Sequence, residues 1–229
     1  MTISGIQAVV SQFAHAAKLA VTFAGFDGVE IHGGNGYLLD TFVHDSINTR
    51  DHEYGGSLQG RSKFPLEVVD AVVAAIGRGR TAIRLAPFHV LRGTGDSVRM
   101  TTFSEFSRAL EKRQLAYVHM AEPRYDQLSN EGAFSGAINR DRGQALTAAP
   151  QPSLWPFRRI LKNTPFIGAG GYDALSAPQA IREGRIDLAA FGRYFTTNPD
   201  LPERLVRGVP LTTYHRPTFY TLEEEGYLG

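Results

Sequence analysis

The stretch GVEIHGGNGYLLD, residues 28–40, decides how this chain is read. Its first four residues form a short apolar strand in which Glu30 faces away from Val29 and Ile31 if the side chains alternate. His32, Asn35 and Tyr37 follow directly, interleaved with Gly33, Gly34 and Gly36. In sheets built from parallel strands, the residues at the C-terminal strand ends form the functional face. His32 and Asn35 there can hold a carbonyl or phenolate oxygen and stabilise charge developing on it. The Tyr37 phenol can give a proton to a neighbouring carbon. Glycine lets the backbone approach a ligand closely. The spacing His-x-x-Asn is a weak pattern, however, and a structural reading fits it equally: His32 satisfies a loop carbonyl and Tyr37 packs at the rim.

Outward from this stretch, apolar residues recur at helical spacing before it. Ile6, Val9, Val10, Phe13, Ala16, Ala17, Ala20 and Phe23 predict a helix over residues 6–24, capped by Ser4 and ended by Gly25. A long polar loop from Gly33 to Gly60 leads to a second helix at residues 61–76. Strand TAIRLAP at 81–87, a helix at 102–113, strand AYVHMAEP at 116–123, a further loop and a helix at 153–161 follow. Strand TPFIGAG, a helix at 174–182, strand DLAAFG at 187–192 and a last helix at 201–206 complete the series. Five short apolar strands separated by amphipathic helices predict an α/β fold with a parallel sheet and right-handed crossovers. The strands are continuous apolar runs, which predicts cover on both faces. A doubly wound sheet and part of a (β/α) barrel both satisfy this pattern.

The 229 residues suffice for one substantial core and require no second domain. Lys and Arg number 24 against 23 Asp and Glu, a balance too even to imply nucleic acid or an anionic membrane as partner. The absence of cysteine excludes disulfides and thiolate chemistry. No apolar run approaches the roughly 18 residues of a membrane span, and the start lacks a basic segment followed by an apolar one. A soluble, cytoplasmic protein is the expectation.

Other residues carry chemistry. Arg84 lies inside an apolar strand, where an unpaired guanidinium is costly. Its anionic partner is either a structural carboxylate or the electron-rich end of a cofactor, whose reduced form a fixed positive charge stabilises. In GAGGYDA at 168–174, Gly170 and Gly171 can turn backbone N–H groups toward a phosphate at a helix start. Gly192 and Arg193 follow the last strand, and Arg193 can bind the same anion in bidentate fashion. Tight turns with a surface arginine are the structural alternative. The dinucleotide fingerprint Gly-x-Gly-x-x-Gly is not met, because Ala174 comes near its end and no early strand leads into it. His44, His52, His89, His119 and His215 are scattered without metal-ligand spacing. His119, on a strand with Glu122 and Arg124 beyond it, reads as a satisfied structural histidine.

Taken in order, GFDGVEIHGGNGYLLDTFVHDSINTRDHEYGGSLQGRSKF, RLAP, VHMAEPR, GAGGY, FGRYFTTNPDLPERL and YHRPTFYTLEEEGYLG resemble the Old Yellow Enzyme family of FMN-dependent NADH/NADPH oxidoreductases. The resemblance covers nearly the whole chain, and members from fungal secondary metabolism look closest. It implies a TIM (β/α)8 barrel fold, and an ene-reductase in which NAD(P)H reduces FMN and hydride then passes to the activated C=C bond of an α,β-unsaturated aldehyde or ketone. His32 and Asn35 match the pair that binds the substrate carbonyl, and Tyr37 matches the proton donor. Arg84 corresponds to the arginine beside the flavin pyrimidine edge, and Gly170, Gly171, Gly192 and Arg193 to the phosphate end. Phe219 and Tyr220 fall where the C-terminal segment approaches the substrate.

Against that family pattern, the sequence begins with the helix before the fourth strand. Residues 1–229 thus correspond to a single, incomplete barrel domain of about five βα strands, without the first three units and their flavin-ring contacts. Five strands cannot close such a barrel, and exposed strand edges invite pairing. A separate N-terminal half or a second copy of the chain is therefore an expected partner. A flavin-dependent isomerase and a catalytically silent partial barrel that binds a ligand or completes a partner remain as alternative functions.

Overall fold

Five apolar runs form strands: β1 (Val29–Gly33), β2 (Thr81–Leu85), β3 (Tyr117–Ala121), β4 (Phe166–Ala169) and β5 (Leu188–Ala190). All neighbours are parallel, in the order β1-β2-β3-β4-β5. Seven α-helices alternate with them among the described residues: α1 (Ile3–Thr22), α2 (Leu38–Val43), α3 (Leu58–Ile76), α4 (Arg99–Glu111), α5 (Trp155–Arg158), α6 (Ser176–Arg182) and α7 (Leu201–Arg207). The structure is a computed structural model and describes residues 1–89, 93–123, 153–222 and 224. Arg124, the loop predicted before residue 153 and residues 223 and 225–229 of the closing segment lie outside them. A sheet in sequential order with helical crossovers is part of a (β/α) barrel, which decides between the two architectures left open by periodicity.

The register sorts the strand residues into two sets. Ile31, Ile83, Leu85, Val118, Met120 and Phe166 point to one face and are all buried. Helices cover that face: α1 packs on α3, α3 on β2 and α4, and α4 on α5. The other face carries Glu30 and His32 from β1, Ala82 and Arg84 from β2, Tyr117, His119 and Ala121 from β3, Ile167 and Ala169 from β4, and Leu188 and Ala190 from β5. It has no helical cover among the described residues: Glu30 and His32 are exposed and Leu188 is 54% exposed. The expectation of cover on both faces is therefore wrong. In a barrel this second face is the interior, so strands can be apolar runs with only one face under helices.

Several element boundaries also move. Helix α1 starts at Ile3, capped by Thr2, whose hydroxyl accepts from the Gly5 N–H at 3.1 Å, so Ser4 is not the cap. Ile6 and Ala17 are buried and Val9, Val10 and Phe13 pack on the core, while Phe23 is 81% exposed beyond the helix end. Helix α3 starts at Leu58 with Ser57 accepting from the Gly60 N–H, not at Arg61. The predicted loop of residues 33–60 contains α2. The rest of that loop is held by buried polar side chains. Asn48 Nδ2 donates to the carbonyls of Phe42 and Tyr54 at 2.7 and 2.8 Å. Arg61 donates to the carbonyls of Val43 and Gly56, both at 2.8 Å. Irregular backbone can be buried in this way because its polar groups have partners.

Candidate functional site

The chain leaves β1 through a tight turn. The Tyr37 N–H donates to the Gly34 carbonyl at 3.3 Å, and the two residues between, Asn35 and Gly36, have φ of 61° and 72°. Positive φ at both central positions is the signature of a type I′ turn, for which Asn-Gly is the favoured pair. Tyr37 then becomes the N-cap of α2 without making a side-chain cap hydrogen bond. Its ring lies edge-on to His32, with centroids 5.3 Å apart. Thus His32 on β1 and the two polar residues beyond the strand, Asn35 and Tyr37, are grouped in space by one turn.

On the open face His32 pairs across the sheet with Arg84, and Arg84 with His119. Arg84 is half-buried, and no side chain or carbonyl among the described residues accepts a hydrogen bond from its guanidinium. Burial pushes its pKa down, and the nearby Glu30 charge opposes that. His32 is also held below the ordinary histidine value of 6.5, first by burial and then by the Arg84 charge, against the attraction of Asp40 and Glu30. It is therefore mostly neutral at pH 7 and presents one N–H donor. Burial works to raise the Glu30 carboxyl, yet hydrogen bonds from His119, at 3.0 Å, and Tyr117, with the charges of His119 and Arg84, hold it below its usual value. Nδ1 of His119 is thus partnered, but its buried Nε2 has no hydrogen-bond partner among the described residues, so the expected satisfied histidine is met at one ring nitrogen only.

A cleft of about 510 Å³ opens at the C-terminal strand ends. Asn35 and Arg84 stand on its wall with Gly170, Gly171, Gly192, Arg193, Phe219 and Tyr220. Residues predicted from five separate motifs are brought together there. His32 and Tyr37 are not part of that wall, although they contact Arg84 and Asn35 through the sheet register and the turn. Gly170 and Gly171 have φ of 104° and 79°, and a Cβ on Gly170 would come within 3.0 Å of the Glu122 backbone nitrogen. One expectation needs correction: this glycine pair does not stand at a helix start, because α6 opens only at Ser176. Arg193 begins a short 3-10 helix (Arg193–Thr196), and its guanidinium lies 5.9 Å from the Tyr214 ring centre.

The floor of the cleft was not foreseen. Ala121, Ala169 and Ala190 are register neighbours on the open face of β3, β4 and β5, and all three line the cleft. Methyl groups in this row leave a flat apolar surface beside Arg84, which suits a planar ring with a polar edge. Arg216 also lines the cleft, stacked 4.9 Å over Phe219, with its Nε buried and lacking a partner among the described residues. An FMN molecule fits this donor set. Arg84 would face its electron-rich ring edge, the alanine row its plane, and Arg193 with the Gly170 and Gly171 backbone its phosphate.

The chain has relatives among known proteins. A flavin oxidoreductase of Emericella nidulans is 43% identical over 235 residues, 99% of this chain and 59% of that protein. A 12-oxophytodienoate reductase of Arabidopsis thaliana is 43% identical over 221 residues, covering 96% of this chain and 54% of its own length. Among solved structures, an old yellow enzyme homologue from Zymomonas mobilis superposes with a TM-score of 0.83 at 34% identity, over 99% of this chain and 59% of that one. Morphinone reductase in complex with tetrahydroNAD gives 0.79 at 36% identity, over 99% and 56%. The chain spans little more than half the length of these relatives. A family pattern, NADH:flavin oxidoreductase / NADH oxidase, matches residues 1–212, and with an Arg84-lined cleft at the strand ends the chain belongs to that FMN-dependent family.

Proposed function

We propose that this chain carries the substrate side and the phosphate end of an FMN site, in an NAD(P)H-dependent oxidoreductase that saturates the activated C=C bond of an enone or enal. The observation that carries this reading is the half-buried Arg84, without an acceptor among the described residues, set between the His32–Asn35–Tyr37 turn and the alanine floor. FMN supplies hydride chemistry when bound, with NAD(P)H as the source of electrons. The Arg84 charge would oppose negative charge at the ring edge. Neutral His32 and the Asn35 amide would donate to the substrate carbonyl oxygen, drawing electrons from the double bond so that its β-carbon accepts hydride. Tyr37 would give its phenolic proton to the α-carbon and recover it from solvent, helped by its 50% exposure.

The open sheet face supports a second reading, in which another polypeptide or a second copy covers Glu30, His32 and Leu188 and completes the ring cavity. On that reading the chain alone binds an anionic ligand but does not turn over. One experiment separates the two. The protein is reconstituted with FMN, and its visible spectrum is followed under anaerobic NADPH and then 2-cyclohexenone. A flavin spectrum that bleaches and returns supports the reductase. Folded protein that takes up no FMN overturns the autonomous enzyme.

A further inference from the structure

The turn that presents Asn35 and Tyr37 is held by a residue to which neither the motif nor the resemblance gave a role. Asp40 is completely buried in the first turn of α2. Its Oδ2 accepts from the Gly36 N–H at 2.8 Å, and its Oδ1 lies 3.1 Å from Nε2 of His44, which is also completely buried. The His44 Nδ1 has no hydrogen-bond partner among the described residues, so Asp40 is what orients this ring beside Phe103.

The arrangement solves a local problem. A helix start is ordinarily capped by Ser, Thr, Asp or Asn, whose side chain accepts from the first free N–H groups. Here the N-cap is Tyr37, and its phenol makes no cap hydrogen bond. Asp40, three residues on, reaches back to the residue before the cap, much as the acidic member of a capping box reaches back to the cap itself. It also contributes negative charge favourable to a helix N-terminus. The Tyr37 side chain is therefore not needed for capping. A backbone with two successive positive φ values is held by a charge-assisted hydrogen bond to the second of them.

We propose that Asp40 is the positioning residue of the candidate site: its buried carboxylate clamps the Asn35–Gly36 turn, thereby fixing the Asn35 amide and Tyr37 phenol, and stands near His32. The relevance to catalysis rests on the reductase reading above, whereas the clamp itself does not. The groups acting on His32 are Arg84 from β2, Glu30 from its own strand and Asp40 from α2, with the Tyr37 ring against it. Of the two anions, Asp40 has the larger influence in favouring the protonated ring.

The test uses isotope-labelled full chain with Asp40→Asn and Asp40→Ala. Asparagine keeps an oxygen for the Gly36 N–H but loses the charge, and alanine loses both. Gly36 amide exchange should quicken on the order of tenfold or more in D40A and stay near wild type in D40N. The titration midpoint of the His32 ring should fall in both variants. Unchanged Gly36 exchange in D40A, or an unchanged or raised His32 midpoint in D40N, overturns the proposal. If D40A does not fold, the His32 titration in D40N decides. Neither reading requires bound flavin, so failure of FMN uptake by wild-type protein counts against the reductase alone.

Discussion

Glu30, Arg84, Tyr117 and His119 form a charged cluster on the open face, directly below the site turn. The carboxyl of Glu30 titrates lower in the folded chain than its ordinary value of 4.5, because His119, Tyr117 and Arg84 outweigh its burial. A depressed folded value means that its stabilisation is fully present above the unfolded value and is lost as pH falls through the folded one. Glu30→Gln should therefore flatten the acid limb of stability, measured by urea unfolding from neutral pH down through the carboxylate range. Parallel curves for the two proteins would show that the cluster contributes nothing. At Tyr37, replacement by Phe should slow alkene reduction by roughly 10²-fold or more while flavin reduction by NADPH is unchanged, read in separate stopped-flow half-reactions. Equal slowing of both would remove Tyr37 as proton donor. His32, Asn35 and Tyr37 were legible in the sequence because their grouping comes from one local turn. Asp40 was not, since an aspartate in YLLD looks like any exposed helix residue until its burial is known.

Among the described residues, helices α1 and α3 make the most extensive contact between helices, and Ile6 of α1 is completely buried. Ile6→Ala should cost about 2–5 kcal/mol, since it removes buried methyl groups and leaves a cavity. Chemical denaturation checks this, and a loss below about 1 kcal/mol would mean that α1 is not docked as described. The long helices and all five strands were readable from periodicity, which their core contacts enforce. Helix α2 was not, because six residues are too few to display a helical period and polar motifs flank them on both sides. The first cap was misplaced by two residues, from Thr2 to Ser4, because either hydroxyl satisfies the sequence rule and only geometry chooses between them.

Among the described residues β1 pairs only with β2 and β5 only with β4, so both ends of the sheet present unpaired edges beside an open face. Unpaired edges template association. If a second copy covers this face, the purified protein should self-associate with rising concentration, and sedimentation velocity will show it. A strictly monomeric chain over that range would overturn cover by a second copy. The sequence by itself determined the order of the strands and long helices, the residues of the site turn and the family, because these depend on local spacing and on motifs. Tertiary structure alone decided which sheet face the helices cover, the alanine floor, the Asp40 clamp and the pairing of Glu30 with His119, 89 residues away. For the floor and the Glu30–His119 pair the physical reason is strand register, which brings distant side chains to one level of the sheet, and for Asp40 it is burial; no periodicity along the chain encodes either.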